Sequence, residues 1–123
     1  MSEEILQQNF IKYINLKYTK LRYCASLGGI RTSIKQAKKA KATGYVKGFP
    51  DVQIINARGG YFGLFIELKL NKRCYPTKEQ KQWIIDLNTL GYKAEICKGI
   101  DEAMKCVDDY MNLKPTIANE KSK

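Results

Sequence analysis

Leu6, Phe10 and Ile14 recur at intervals of four, with Tyr13 and Lys17 in phase, so one apolar stripe runs along the first seventeen residues. Ser2 stands where an N-cap belongs, and Glu3 and Glu4 place negative charge in the first turn, which predicts a helix from Glu3 to about Lys17. A short apolar and aromatic run, Leu21 to Ala25, reads as a strand ended by Leu27-Gly28-Gly29. Arg31 to Thr43, rich in alanine and lysine, reads as a polar-faced helix stopped near Gly44. Beyond Gly48-Phe49-Pro50, the runs Asp51 to Asn56 and Tyr61 to Leu70 have β composition and are joined by Ala57-Arg58-Gly59-Gly60, a hairpin turn. Thr77 to Leu90 puts Trp83, Ile84, Leu87 and Leu90 on one helical face. Tyr92 to Cys97 alternates as a strand, and Asp101 to Met111 closes with Ala103, Met104 and Val107 on a helical face. The order α-β-α-β-β-α-β-α predicts an α/β fold, a mixed sheet flanked by helices, in one domain over residues 1–112. Residues 113–123, polar and carrying a proline, read as a disordered tail.

Charge sharpens this picture. The chain carries 22 Lys and Arg against 12 Asp and Glu, a net +10. The excess lies in one segment: Ile5 to Pro50 has ten cations and no acidic residue, and the rest balances. So long a cationic stretch favours a polyanion partner, nucleic acid before an anionic membrane, because its most basic part offers little apolar area to insert. No apolar run approaches the ~18 residues of a membrane span, and the Met-Ser-Glu-Glu start has no secretory character, so an intracellular protein is expected. With no histidine and no CxxC pair, Cys24, Cys74, Cys97 and Cys106 read as scattered reduced thiols rather than zinc ligands. Histidine-based nucleophile chemistry is excluded, which leaves carboxylates, lysine, tyrosine or a hard metal ion.

Alternation in Tyr61 to Leu70 sends Phe62, Leu64, Ile66 and Leu68 to one face and Phe65, Glu67 and Lys69 to the other. The hairpin returns Asp51 opposite the end that holds Glu67, so two carboxylates and an ammonium converge. Carboxylates this close repel one another unless a hard dication lies between them, and magnesium favours such a partial oxygen set completed by waters and phosphate. The same residues also fit a plainer reading, a turn aspartate beside an ordinary surface ion pair worth at most about 1 kcal/mol.

Pro50-Asp51 followed by Glu67-Leu68-Lys69 resembles the PD-(D/E)XK nuclease motif with its αβββαβ core, here with an extra basic helix. Pro76-Thr77-Lys78-Glu79-Gln80 with Trp83, Gly91 to Cys97 leading into Asp101-Glu102-Ala103, and Gly44 to Asp51 resemble segments of the VRR-NUC branch, in its small stand-alone phage and bacterial type. The closing strand ends Glu95-Ile96-Cys97-Lys98, where other members carry Val-Arg-type residues. The resemblance implies a Mg2+- or Mn2+-dependent endonuclease of repair and recombination. It would act as a homodimer on branched DNA such as four-way junctions, inside a bacterial or phage-infected cell. It implies Asp51 and Glu67 as metal ligands with the Leu68 carbonyl, Lys69 as the catalytic lysine, and a glutamate from the first helix. Helical phase favours Glu3 for that role, with Glu4 as the alternative. A non-catalytic basic nucleic-acid-binding module is the competing function.

Thr77-x-x-Gln80 has the form of a capping box, so Gln80 is either a helix cap or a site residue turned toward the sheet. Trp83 heads an apolar stripe and reads as core, whereas Tyr45 and Phe49 are candidates for stacking on a base. Arg31, Lys35, Lys38, Lys39 and Lys47 are the expected phosphate contacts.

Overall fold

The computed structural model describes residues 1–26 and 33–117. Helix α1 (Glu3–Lys17) starts at Ser2, whose hydroxyl accepts from the Ile5 N–H, and buries Leu6, Phe10 and Ile14. Strand β1 (Tyr23–Ala25) is followed by α2 (Ile34–Ala42), which begins three residues later than the sequence suggests because Ser33 and Gln36 form a capping box there. Helix α2 buries none of its residues and holds its lysines in solvent. Then come β2 (Val52–Ile54), β3 (Leu64–Lys69), α3 (Lys78–Thr89), β4 (Lys93–Lys98) and α4 (Ile100–Met111).

The four strands form one sheet in the order β1-β2-β3-β4, antiparallel except for the parallel pair β3 and β4 that α3 connects. Leu64, Ile66 and Leu68 pack with the apolar faces of α1 and α4 around Phe10 and Tyr110. On the opposite face Phe65 and Ala94 pack beneath α3 with Leu87, Trp83, Phe49 and Tyr92. The α/β architecture and the order of elements are those the sequence predicts, with α2 inserted between β1 and β2.

Two strands are shorter than their composition suggests. Gly59 and Gly60, both with positive φ, make a tight turn that closes a bridge between Arg58 and Tyr61. Counted outward from Ile54↔Leu64, Arg58 would face Gly60, so one residue is in excess and the ladder breaks between the turn and the sheet. Residues beyond α4 differ from the expected tail. The Gly59 N–H donates to the Lys114 carbonyl at 2.7 Å and the Thr116 N–H to the Ala57 carbonyl at 3.0 Å, which ties this segment to the turn's unpaired backbone groups. The folded chain therefore runs past residue 112, at least to Thr116.

Candidate active site

All six residues of β3 are buried, which makes the charged pair at its end unusual. Glu67 is 3% exposed and Lys69 8%. Strand alternation turns both toward α3, on the face of Phe65, and burying them unpaired would cost several kcal/mol, on the order of what an uncompensated buried ion loses. Two neighbours offset part of that cost: Lys69 Nζ lies 3.8 Å from Glu67 Oε2, and the side-chain N–H of Gln80 donates to the same oxygen at 2.9 Å. Asp51, one position beyond the Val52↔Ile66 pair and so beside Glu67, adds a second negative charge instead. Its Oδ2 accepts from the Leu68 backbone N–H at 2.7 Å, which fixes the carboxylate against the strand.

Gln80 both caps α3 and turns its amide toward the sheet. Its side-chain carbonyl accepts from the Thr77 N–H at 2.8 Å, and its own backbone N–H donates to the Thr77 hydroxyl at 3.1 Å, completing a capping box at the start of α3. That leaves the amide NH2 to reach Glu67. One side chain thus fixes the helix start and the rotamer of the buried carboxylate.

The other Glu67 oxygen, Oε1, is buried with no hydrogen-bond partner. Burial raises the Glu67 pKa, Asp51's negative charge raises it further, and Lys69 only partly opposes them, so it is pushed up to about 9. Asp51 is raised as well, by burial first, with the Leu68 N–H opposing and the Glu3 charge adding to the rise. Glu3 thus acts electrostatically on both carboxylates. Glu3 and Glu4 line an open cleft of about 280 Å3 with Gln7, Ser26, Asp51 and Leu68. Among the described residues no three acidic or cysteine side chains close on one point; Glu3 shares the cleft with Asp51, whereas Glu67 lies on the α3 side of the strand and does not line it.

Lys35, Lys38 and Lys39 stand exposed on α2, and Lys47 follows in the loop leading to β2; Arg31 lies outside the described residues. That loop is docked on the start of α3. The Trp83 indole N–H donates to the Lys47 carbonyl at 3.2 Å. Gly48, at φ +90°, sits so close that a Cβ there would lie 2.8 Å from the backbone of Glu79. The basic segment is held next to Gln80 in this way. Tyr45, half-buried, feels the negative charge of Glu67 and Asp51, and its hydroxyl pKa is raised by burial and by both. Phe49, a candidate for stacking on a base, is partly buried and packs against the core instead, set edge-on to Trp83 and Phe65 with ring centroids 5.0 and 5.8 Å away. Sequence reasoning passed over Tyr75, an exposed aromatic in a loop of cations; its signal was a lone tyrosine in the stretch Leu68 to Lys78, which has four cations and no acid.

The model of the VRR-NUC domain matches residues 2–101, a span that contains Glu3, Asp51, Glu67, Lys69 and Gln80. The chain belongs to the VRR-NUC family. Its fold is similar to that of a solved structure described as a VRR_NUC domain protein, with a TM-score of 0.81 and 31% sequence identity over 94% of this chain and 92% of that one. No curated protein matches. The VRR-NUC domain is a nuclease domain, and this chain is accordingly a DNA-processing domain of nuclease type. Among the described residues no helix is long and apolar enough to cross a membrane.

The oxygen donors present suit a hard divalent cation. Two adjacent carboxylates held up in pKa by burial, Glu67 further by the Asp51 charge and Asp51 by the Glu3 charge, one with a bare buried oxygen, are a set that a dication would neutralise.

Proposed function

We propose that this VRR-NUC domain is a Mg2+- or Mn2+-dependent endonuclease that hydrolyses phosphodiester bonds in branched DNA, four-way junctions among them. The observation that carries the reading is Glu67, held through one oxygen by Gln80 and presenting the other, unpartnered, beside Asp51. Asp51 and Glu67 would hold the cation, with the Leu68 carbonyl and Glu3 completing the protein's share. Once bound, the ion would supply Lewis acidity to the scissile phosphate and its attacking water.

The chain's own groups do the rest. Asp51 is fixed by the Leu68 N–H and Glu67 by Gln80, so both carboxylates are oriented before substrate arrives. Lys69 keeps its ammonium at the same site, where it orients water and stabilises the negative charge that grows on the phosphate in the transition state. Lys35, Lys38, Lys39 and Lys47 bind backbone phosphates and carry no base specificity, which suits recognition by branch shape. One such site cuts one strand, so symmetric incision of a junction requires two copies related by a twofold axis, and we propose a homodimer.

The test is incubation of labelled four-way junction, flap and linear duplex in magnesium, manganese or EDTA, with Asp51→Ala and Lys69→Ala alongside. Cleavage of branched DNA that needs the metal and disappears in both variants, while DNA binding persists, is the expected result. Binding by the wild type with no cleavage under any metal would establish the non-catalytic binding module instead.

A further inference from the structure

On the side of Glu67 away from Asp51, the sheet continues to β4, where Lys98 pairs with Lys69 in parallel register. Paired residues of adjacent strands share a face about 4.8 Å apart, so Lys98 projects beside Lys69 on the α3 side. Its ammonium lies 4.3 Å from the centre of the Tyr75 ring. Among the described residues Lys98 has no carboxylate within ion-pair distance, and Glu102 turns its carboxylate to the Lys98 backbone N–H at 2.8 Å.

Tyr75 belongs to the loop that leaves β3 directly after Lys69. A turn at Asn71 shapes it: the Asn71 side chain accepts from the Arg73 N–H at 2.9 Å and its carbonyl from the Cys74 N–H at 3.1 Å. Lys72 and Arg73 at the turn are exposed, and Tyr75 is 74% exposed, with Lys98 over its ring. The loop offers a large aromatic surface to water with Lys98 over the ring and two further exposed cations, Lys72 and Arg73, in the same loop.

We infer that Tyr75 and Lys98, with Lys72 and Arg73, form a second DNA contact that takes an unpaired nucleotide next to the cutting site. The inference rests on the nuclease reading above and adds to it the feature of branched DNA that is recognised. A base inside a duplex has both faces covered by its neighbours, whereas an unpaired base at a branch can stack on a tyrosine ring. Lys72 and Arg73 meet the phosphates on either side of it, and Lys98 adds cation–π attraction and holds the ring. The contact lies across Glu67 from Asp51.

The test uses fluorescence anisotropy in EDTA with two DNA probes of equal length, a blunt duplex and a fork with one unpaired arm that carries 2-aminopurine at the branch. Wild type, Tyr75→Ala, Tyr75→Phe and Lys98→Gln are compared. Tyr75→Ala is expected to weaken binding of the fork about five- to a hundredfold, the range of one lost base stack, and to change binding of the duplex less than twofold. Tyr75→Phe keeps the fork preference, Lys98→Gln loses part of it, and 2-aminopurine is quenched by wild type and Tyr75→Phe but not by Tyr75→Ala. Equal loss on both probes, or none on either, overturns the inference and leaves the nuclease reading standing. Failure of the wild type to bind either probe also overturns the inference, while metal-dependent cleavage decides the nuclease reading separately.

Discussion

Gln80 donates from its amide nitrogen to Glu67 Oε2 at 2.9 Å while its amide oxygen caps α3 at Thr77. The two roles can be separated by substitution. Gln80→Ala removes both, and should lower stability by about 1–2 kcal/mol, the worth of a lost cap together with a stranded buried acceptor. Gln80→Glu retains an oxygen for the cap but replaces the donor to Glu67 with a third acid. We expect thermal unfolding of Gln80→Glu to lie above that of Gln80→Ala at pH 5, and nuclease activity to fall by ten- to a hundredfold in both, as for a lost partner of a metal-binding carboxylate. Activity that tracks stability, recovering in Gln80→Glu, would make Gln80 a cap alone.

The raised pKa of Glu67 gives a pH dependence of definite sign. The native carboxyl is held at about 9 against an ordinary 4.5, so between those values the folded chain keeps a proton that the unfolded chain has released. Its contribution to stability is full below about pH 4.5 and is lost as pH rises through about 9. The metal-free protein should therefore lose a few degrees of melting temperature between pH 6 and 9 relative to Glu67→Gln, which has no such proton to lose. Magnesium or manganese should restore it, and more strongly at high pH, because cation and proton compete for the same oxygens. Parallel pH profiles for wild type and Glu67→Gln would contradict this electrostatic picture.

Salt dependence tests the basic segment. If Lys35, Lys38 and Lys39 each neutralise one phosphate, every charge removed should make the slope of log K against log salt shallower by about one on duplex DNA. Binding titrations of single and triple glutamine variants from 50 to 200 mM salt would measure this. An unchanged slope in the triple variant would remove α2 from the interface.

Much of this site could be read before any coordinates. Period-two alternation in β3 separated Leu64, Ile66 and Leu68 from Glu67 and Lys69, because a strand buried on both faces leaves no freedom in register once one side is apolar. That Asp51 returns at the strand end holding Glu67 followed from the hairpin; its pairing directly beside Glu67 follows only from the observed register. The strand lengths were not legible, since the Gly59-Gly60 turn adds a residue that composition cannot reveal. The packing of Phe49 on Trp83, a tertiary contact, was hidden by the glycine and lysine around it, which made it a candidate for base stacking. The fixing of residues 114–116 likewise depends on backbone hydrogen bonds to a distant turn, which leave no mark on side-chain pattern. Only geometry showed that the one Gln80 amide both caps α3 and reaches Glu67.

The shared divalent cation proposed between Asp51 and Glu67 would be visible in anomalous diffraction from crystals soaked in manganese. A single strong peak within about 2.2 Å of an oxygen from each carboxylate, on the side of Glu67 Oε1, is the expected result. Absence of a peak there at saturating manganese, with the two side chains turned apart, would contradict it.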